Sequence, residues 1–178
     1  MIVSRIAAVS IAALTLAGCV ASTEPILSDA QPLLGQRLQF QLYSLRAGFA
    51  SDPERATFAW DGKRYAFAGG NAKGMDDFTL HAFEGGDFIA QSAPKRGKSN
   101  FEYALVRPLA DGVYRVIAID EEDADPGTRS EYCATASKGS CLIRSHQALT
   151  VFARATAGRK KDDGGLAIRL ADEKARKR

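Results

Sequence analysis

The chain has 178 residues, 46% of them hydrophobic and 25% charged, which excludes wholesale disorder and fits one domain of ordinary size. Its glycines and prolines follow no fixed period and only one apolar run approaches membrane length, so collagen-like, repeat and polytopic membrane architectures are excluded. The formal net charge of +3 is unevenly placed: residues 154–178 hold nine Lys/Arg against four Asp/Glu, so the basic balance belongs to the C-terminal end and supports no nucleic-acid partner.

Residues 1–18 have the build of a signal peptide. Arg5 supplies a positive flank, and residues 6–17 form an uncharged apolar stretch interrupted only by Ser10 and Thr15. A dozen residues make a signal core, where a spanning helix needs roughly 20. Leu16-Ala17-Gly18-Cys19 then places two small residues and a thiol after a large apolar one, and it resembles the lipobox of bacterial lipoproteins. Small side chains let an extended backbone enter a peptidase, and a thiol can be alkylated with diacylglycerol. The resemblance implies cleavage before Cys19, thioether lipidation of Cys19, and acylation of the new amine by a fatty acid such as palmitate. Two or more acyl chains anchor a protein stably, so the membrane is an expected partner through Cys19. Val20 follows the cysteine, where Asp would favour the inner membrane, so the implied location is the outer membrane facing the periplasm. An ordinary secretory signal with an incidental cysteine is the competing reading.

Residues 19–36, with Pro25 and Pro32, are expected to form a lipidated tether. A β domain is expected over 37–157. Residues 38–43 alternate apolar and polar; 56–60 and 64–68 flank Asp61-Gly62, a type I′ hairpin signal; 78–83 and 87–91 flank Glu84-Gly85-Gly86. Residues 101–106 alternate again and lead through Pro108 and Asp111-Gly112 to the β-branched run 113–119. Residues 120–127 read as an acidic loop. Ser145 is placed to cap a helix reaching Ala157, with Leu149, Phe152 and Ala153 as its apolar stripe and Gly158 as its stop. Residues 158–178 form a basic segment in which 166–170 suit one further strand before a tail.

The expected fold is therefore mainly β, an antiparallel meander or small barrel with one C-terminal helix; a sandwich shares the pattern. Strands, then a helix, then a last strand is an order similar to that of lipocalin-like (calycin) barrels. Gly35-Gln36-Arg37 stands where that family's Gly-x-Trp signature falls, with the tryptophan missing.

With Cys19 lipidated, Cys133 and Cys141 remain as an even pair in an oxidising compartment, separated by small polar residues. A structural disulfide is expected, worth about 2.5 kcal/mol through loop closure. The spacing is not the C-x-x-C of a redox pair.

Other chemistry-bearing patterns are incomplete. His81 and His146, 65 positions apart, have no local metal partners, and His81 alternates opposite Phe78 and Leu80 as a partly covered residue. Arg96-Gly97-Lys98-Ser99 lacks the earlier glycine of a phosphate loop, and Ser92-Ala93-Pro94-Lys95 matches S-x-x-K with a proline where a helix is needed. No G-x-S-x-G occurs. Asp120, Glu121, Glu122, Asp123 and Asp125 offer oxygens for calcium but not the spacing of a calcium loop, which leaves a solvated charge run as the first reading. No catalytic residue, metal or cofactor is assigned.

The expected function is binding without catalysis. The first reading is a lipid-anchored interaction module that docks an envelope protein through a strand edge or loop. The second is a carrier of a small apolar ligand in a barrel pocket lined by aromatic residues. An enzyme whose residues converge only in space is the third.

Overall fold

The computed structural model describes residues 19–46, 49–50, 52–72, 74–94, 100–135, 141–159 and 164–170. Residues 1–18, expected as a signal peptide, the 95–99 stretch with Lys98 and Ser99, the 136–140 loop and the basic end from residue 171 lie outside the described residues.

A short strand, β1 (Val20–Ser22), precedes the main sheet. Then β2 (Arg37–Arg46), its two-residue partner β3 (Phe49–Ala50), β4 (Glu54–Trp60), β5 (Tyr65–Gly70), β6 (Phe78–Ala82), β7 (Phe88–Ser92), β8 (Phe101–Ala110) and β9 (Val113–Ala118) follow as an antiparallel meander. Helix α1 (Pro126–Tyr132), the paired strands β10 (Ala134–Thr135) and β11 (Cys141–Leu142), and helix α2 (His146–Ala157) come next. The last strand, β12 (Gly164–Arg169), lies between β9 and β2 and pairs antiparallel with both. Because β8 also pairs β9, eight strands close into a barrel, with β5 and β6 joined at the single pair Tyr65–Phe78. The expected small, calycin-like barrel is what forms.

Period-two alternation explains which side chains fill it. Leu38 and Phe40 of β2, Ala56 and Phe58 of β4, Tyr65 of β5, Leu80 of β6, Val106 of β8, Tyr114 of β9 and Ala167 of β12 pack as one buried cluster inside. Rings do most of the filling. Phe58 meets Phe78 edge-on at 4.9 Å, Phe78 stacks on Tyr65 at 5.2 Å, and Phe40 meets Tyr114 at 6.1 Å between centroids. The opposite faces of the same strands carry a second cluster, in which Ile89, Tyr103, Leu105 and Ile117 are covered by Ala148, Leu149, Phe152 and Ala153 of α2. The helix begins where Ser145 accepts a hydrogen bond from Ala148 N–H at 3.1 Å, and it ends at Gly158, as the sequence predicts.

Polar clamps hold the other end of α2. Arg107 forks onto Asp87 at 2.9–3.2 Å and also donates to the carbonyl of Ala157, so one guanidinium ties the barrel wall to the helix C-terminus. Thr156, fully buried, donates to Asp123 at 2.9 Å, and Arg159 pairs with the same carboxylate at 3.2 Å.

Several expectations change. The segment expected as a tether is packed: Val20 and Ala21 are buried, β1 pairs with β8 and β11, and Cys19 bridges Asp120. The β domain does not stop at 157, because β12 supplies the closing strand. That strand starts at Gly164 (φ +115°), where an added Cβ would fall 2.5 Å from the Val116 carbonyl oxygen. The acidic loop is a single 3-10 turn followed by α1, so the described residues hold a short helix in addition to the expected C-terminal one. Asp125 caps α1 by accepting from Gly127 and Thr128 N–H, with Pro126 in its first turn. The turn after β4 has four residues, because Asp61 accepts from both Lys63 and Arg64 N–H and closes the loop locally. That pair of bonds also lowers the Asp61 carboxyl below the usual range. Strand β8 continues past Pro108 to Ala110 through a bulge.

Candidate functional site: two clefts beneath an N-terminal strap

After β1 the chain does not leave the barrel. Residues 25–33 run as an irregular strap over the outer wall of β6 and β7. Its start is tied down by Ser22, 2% exposed, whose hydroxyl donates to the Glu24 carbonyl and meets the Tyr103 hydroxyl. Its middle is held by one side chain. Ile26 and Leu27 N–H both donate to Gln91 Oε1 at 3.0 Å, and Gln91 Nε2 donates back to the Leu27 carbonyl at 3.2 Å. Gln91 is 5% exposed, so these bonds satisfy a buried amide that would otherwise be costly. Its far end is fixed by Tyr65, whose hydroxyl accepts from Leu34 N–H and donates to the Gly35 carbonyl. Between the latches, Asp29 turns the strap with a left-handed φ of +58°, a conformation uncommon outside glycine.

Two open clefts flank the strap. One, of about 440 Å³, lies toward the β4–β5 turn and is bordered by Leu27, Arg64, Phe78, Thr79 and Phe101. The other, of about 590 Å³, has Leu27, Leu33, Phe83 and Ile89 as its apolar lining and Asp29, His81 and His146 as its polar groups. Leu33, 40% exposed, is one of three large apolar side chains the described residues leave open to water, with Phe67 and Leu109. Both clefts lie on the outer wall.

The chain's two histidines thus reach the same cleft. His81 projects from the outer face of β6, half-buried, with Nε2 within 2.9 Å of the Thr79 hydroxyl. His146 is exposed at the first position of α2. Burial lowers the His81 pKa below 6.5; the Asp29 carboxylate opposes this shift and nearby His146 adds to it. The acidic residues 120–125 do not line this cleft. Their carboxylates are used elsewhere: Asp120 accepts from Glu122 N–H, Asp123 holds α2, and Asp125 caps α1. Ser92 bonds the main chain of Glu102, and its S-x-x-K partner Lys95 is outside the described residues.

The disulfide joins Cys133 to Cys141 with Cα atoms 4.9 Å apart, as expected. Beside it stands Glu121, whose carboxyl is raised above its usual range first by burial and then by Asp120. No family model, curated protein or solved structure matches this chain.

Sequence reading missed the strap because its parts are distant in the chain. Gln91 sits 64 residues from Leu27, and a polar residue at an outward strand position carries no signal that it is buried. The alternation that put His81 opposite Phe78 and Leu80 was the one legible clue.

Two outcomes follow. Gln91→Leu removes three hydrogen bonds and leaves the strap amides without partners, a local cost of about 1–3 kcal/mol. Ile26 and Leu27 amides should then exchange hydrogen roughly 5- to 150-fold faster while barrel amides keep their rates. Unchanged exchange would mean that the strap is held by other contacts. The second concerns acid. His81 is harder to protonate folded than unfolded, so its contribution to stability is complete above pH 6.5 and is lost as pH falls below that value towards its folded pKa. A His81→Gln variant should show a shallower loss of urea stability over that acid range than the parent; identical slopes would refute the assignment.

Proposed function

We propose that this protein is a lipid-anchored envelope module that works by binding, and that the strap clefts on the outer barrel wall are where it engages an envelope protein. The membrane part of the reading is supported by the apolar leader and Leu16-Ala17-Gly18-Cys19. The observation that carries the binding part is the contrast between the barrel's two faces. Its own rings occupy the inside, while the strap leaves two clefts outside with an apolar lining, a few convergent polar groups and the exposed Leu33. Docking through a strand edge is the lesser option, since the eight wall strands close on one another and only β5 and β6 are joined at a single pair. The loop-type surface of the strap takes that role.

Carriage of a small apolar ligand inside the barrel is the second reading, favoured by the closed eight-stranded wall and by the half-buried state of the inward residues Leu42, Phe88, Ala90 and Val116.

One experiment separates the two. A photocrosslinker replacing Leu33 should capture a defined protein from intact envelopes, with capture lost in the Gln91→Leu background, and the same probe at Leu109 should capture nothing. Trp60 is the sole tryptophan and lies half-buried against Tyr65 inside the barrel. Saturable quenching of its emission by an apolar ligand, without Leu33 adducts, would favour the carrier and defeat the docking reading.

A further inference from the structure

We propose that the Cys133–Cys141 pair is a redox-gated metal site: once reduced, its two thiolates and the Glu121 carboxylate hold one zinc-class divalent cation, with a fourth position open to water. Among the described residues these are the three metal-ligating side chains that cluster, their ligand atoms all lying within 4.8 Å of one another. This inference is independent of the lipid anchor and of the strap clefts.

The geometry survives loss of the covalent bond because each ligand is anchored separately. Cys133 terminates α1, its N–H bonded to the Arg129 carbonyl. Cys141 sits in β11, paired with Val20 of β1 on one side and Thr135 of β10 on the other. Glu121 opens the turn capped by Asp120, and Asp123 of that turn is fastened to α2 through Thr156 and Arg159. Zinc–thiolate bonds of about 2.3 Å in a tetrahedron place the two sulfurs about 3.8 Å apart, a separation that side-chain rotation reaches from Cα atoms 4.9 Å apart. Two soft thiolates and one carboxylate suit zinc and disfavour calcium or magnesium, which take oxygen ligands throughout. Three protein ligands with one open position is the donor count of zinc sites that keep a bound water, whereas closed structural sites use four.

The chemistry balances with one named co-reactant. A protein dithiol supplies two electrons and two protons to the Cys133–Cys141 bond and is itself oxidised to a disulfide; the metal then displaces both thiol protons to solvent. In the oxidised pair the sulfurs carry no thiolate charge and the site is closed. Oxidation state therefore selects between a staple and a metal centre.

The test uses the full chain carrying Cys19→Ser, so that this pair supplies the only thiols, with cobalt(II) as the spectroscopic probe. After reduction by a phosphine, one cobalt per chain should bind with a thiolate-to-metal charge-transfer band that zinc displaces, and the oxidised protein should show none. Cys133→Ser should abolish the band. Glu121→Gln should keep the band but weaken cobalt affinity about tenfold or more. The proposal is overturned by a reduced, folded chain without the band, by Glu121→Gln binding as tightly as its parent, or by a reduced chain that loses its β-sheet circular dichroism.

Discussion

Phe152→Ala is expected to destabilise the domain by about 3–5 kcal/mol, the cost of emptying an aromatic-sized site in a packed core. Phe152 is fully buried in α2 and belongs to the cluster that α2 forms with Leu105, Ile117 and Ile119. Four neighbours, Ala148, Leu149, Ala153 and Thr156, are buried with it on the same helix, so the void cannot be closed by a surface side chain folding in. Against a total stability of about 5–15 kcal/mol this is a large fraction. Thermal unfolding of the domain should move down by roughly 6–20 °C. Leu109→Ala is the control: Leu109 is 55% exposed near the β8–β9 turn, and its loss should stay within about 0.5 kcal/mol. A Phe152 variant that melted with the control would mean that α2 is not part of the cooperative fold.

That helix was legible because two independent signals agreed. Ser145 marks where the chain turns, and Leu149, Phe152 and Ala153 repeat at helical spacing, so capping and burial pointed to the same twelve residues. The meander was legible for a similar reason: alternation in 38–42 and 101–106, with turn residues between runs, fixes both strand identity and facing. Less was readable where one residue type serves two purposes. Residues 120–125 look like solvated charge, yet Asp120 and Asp125 are caps and Asp123 is an anchor for α2. The Asp125-Pro126 pair, a cap followed by a helix-starting proline, was the available signal for α1. β1 is three small residues long, too short to show any period, and its pairing with Cys141 and Glu102 spans most of the chain. Its burial comes from tertiary contacts that composition does not encode. The same holds for the cleft, which needs β6, the strap and α2 to be in place before His81, Asp29 and His146 meet.

Cys19→Ala is expected to leave the precursor uncleaved and to reduce palmitate labelling of the protein to background. The effect is all-or-none because a methyl group offers no sulfur for thioether formation, and the resemblance of residues 16–19 to a lipobox puts that modification before cleavage. The fold adds a constraint that a flexible tether would not. Cys19 is 4% exposed and bridges Asp120, and Val20 is already inside the sheet, so no spacer separates an anchored Cys19 from the domain. An acylated Cys19 would hold the corner made by β1, β11 and the Asp120 turn close to the bilayer. Cys19 is buried, so losing its sulfur should cost the folded domain about 1 kcal/mol, a small shift in urea midpoint that leaves it folded. This separates loss of processing from loss of folding. Labelled Cys19→Ala protein would refute lipidation at that thiol, whereas an unlabelled but unfolded variant would trace the loss to the buried packing of Cys19 instead.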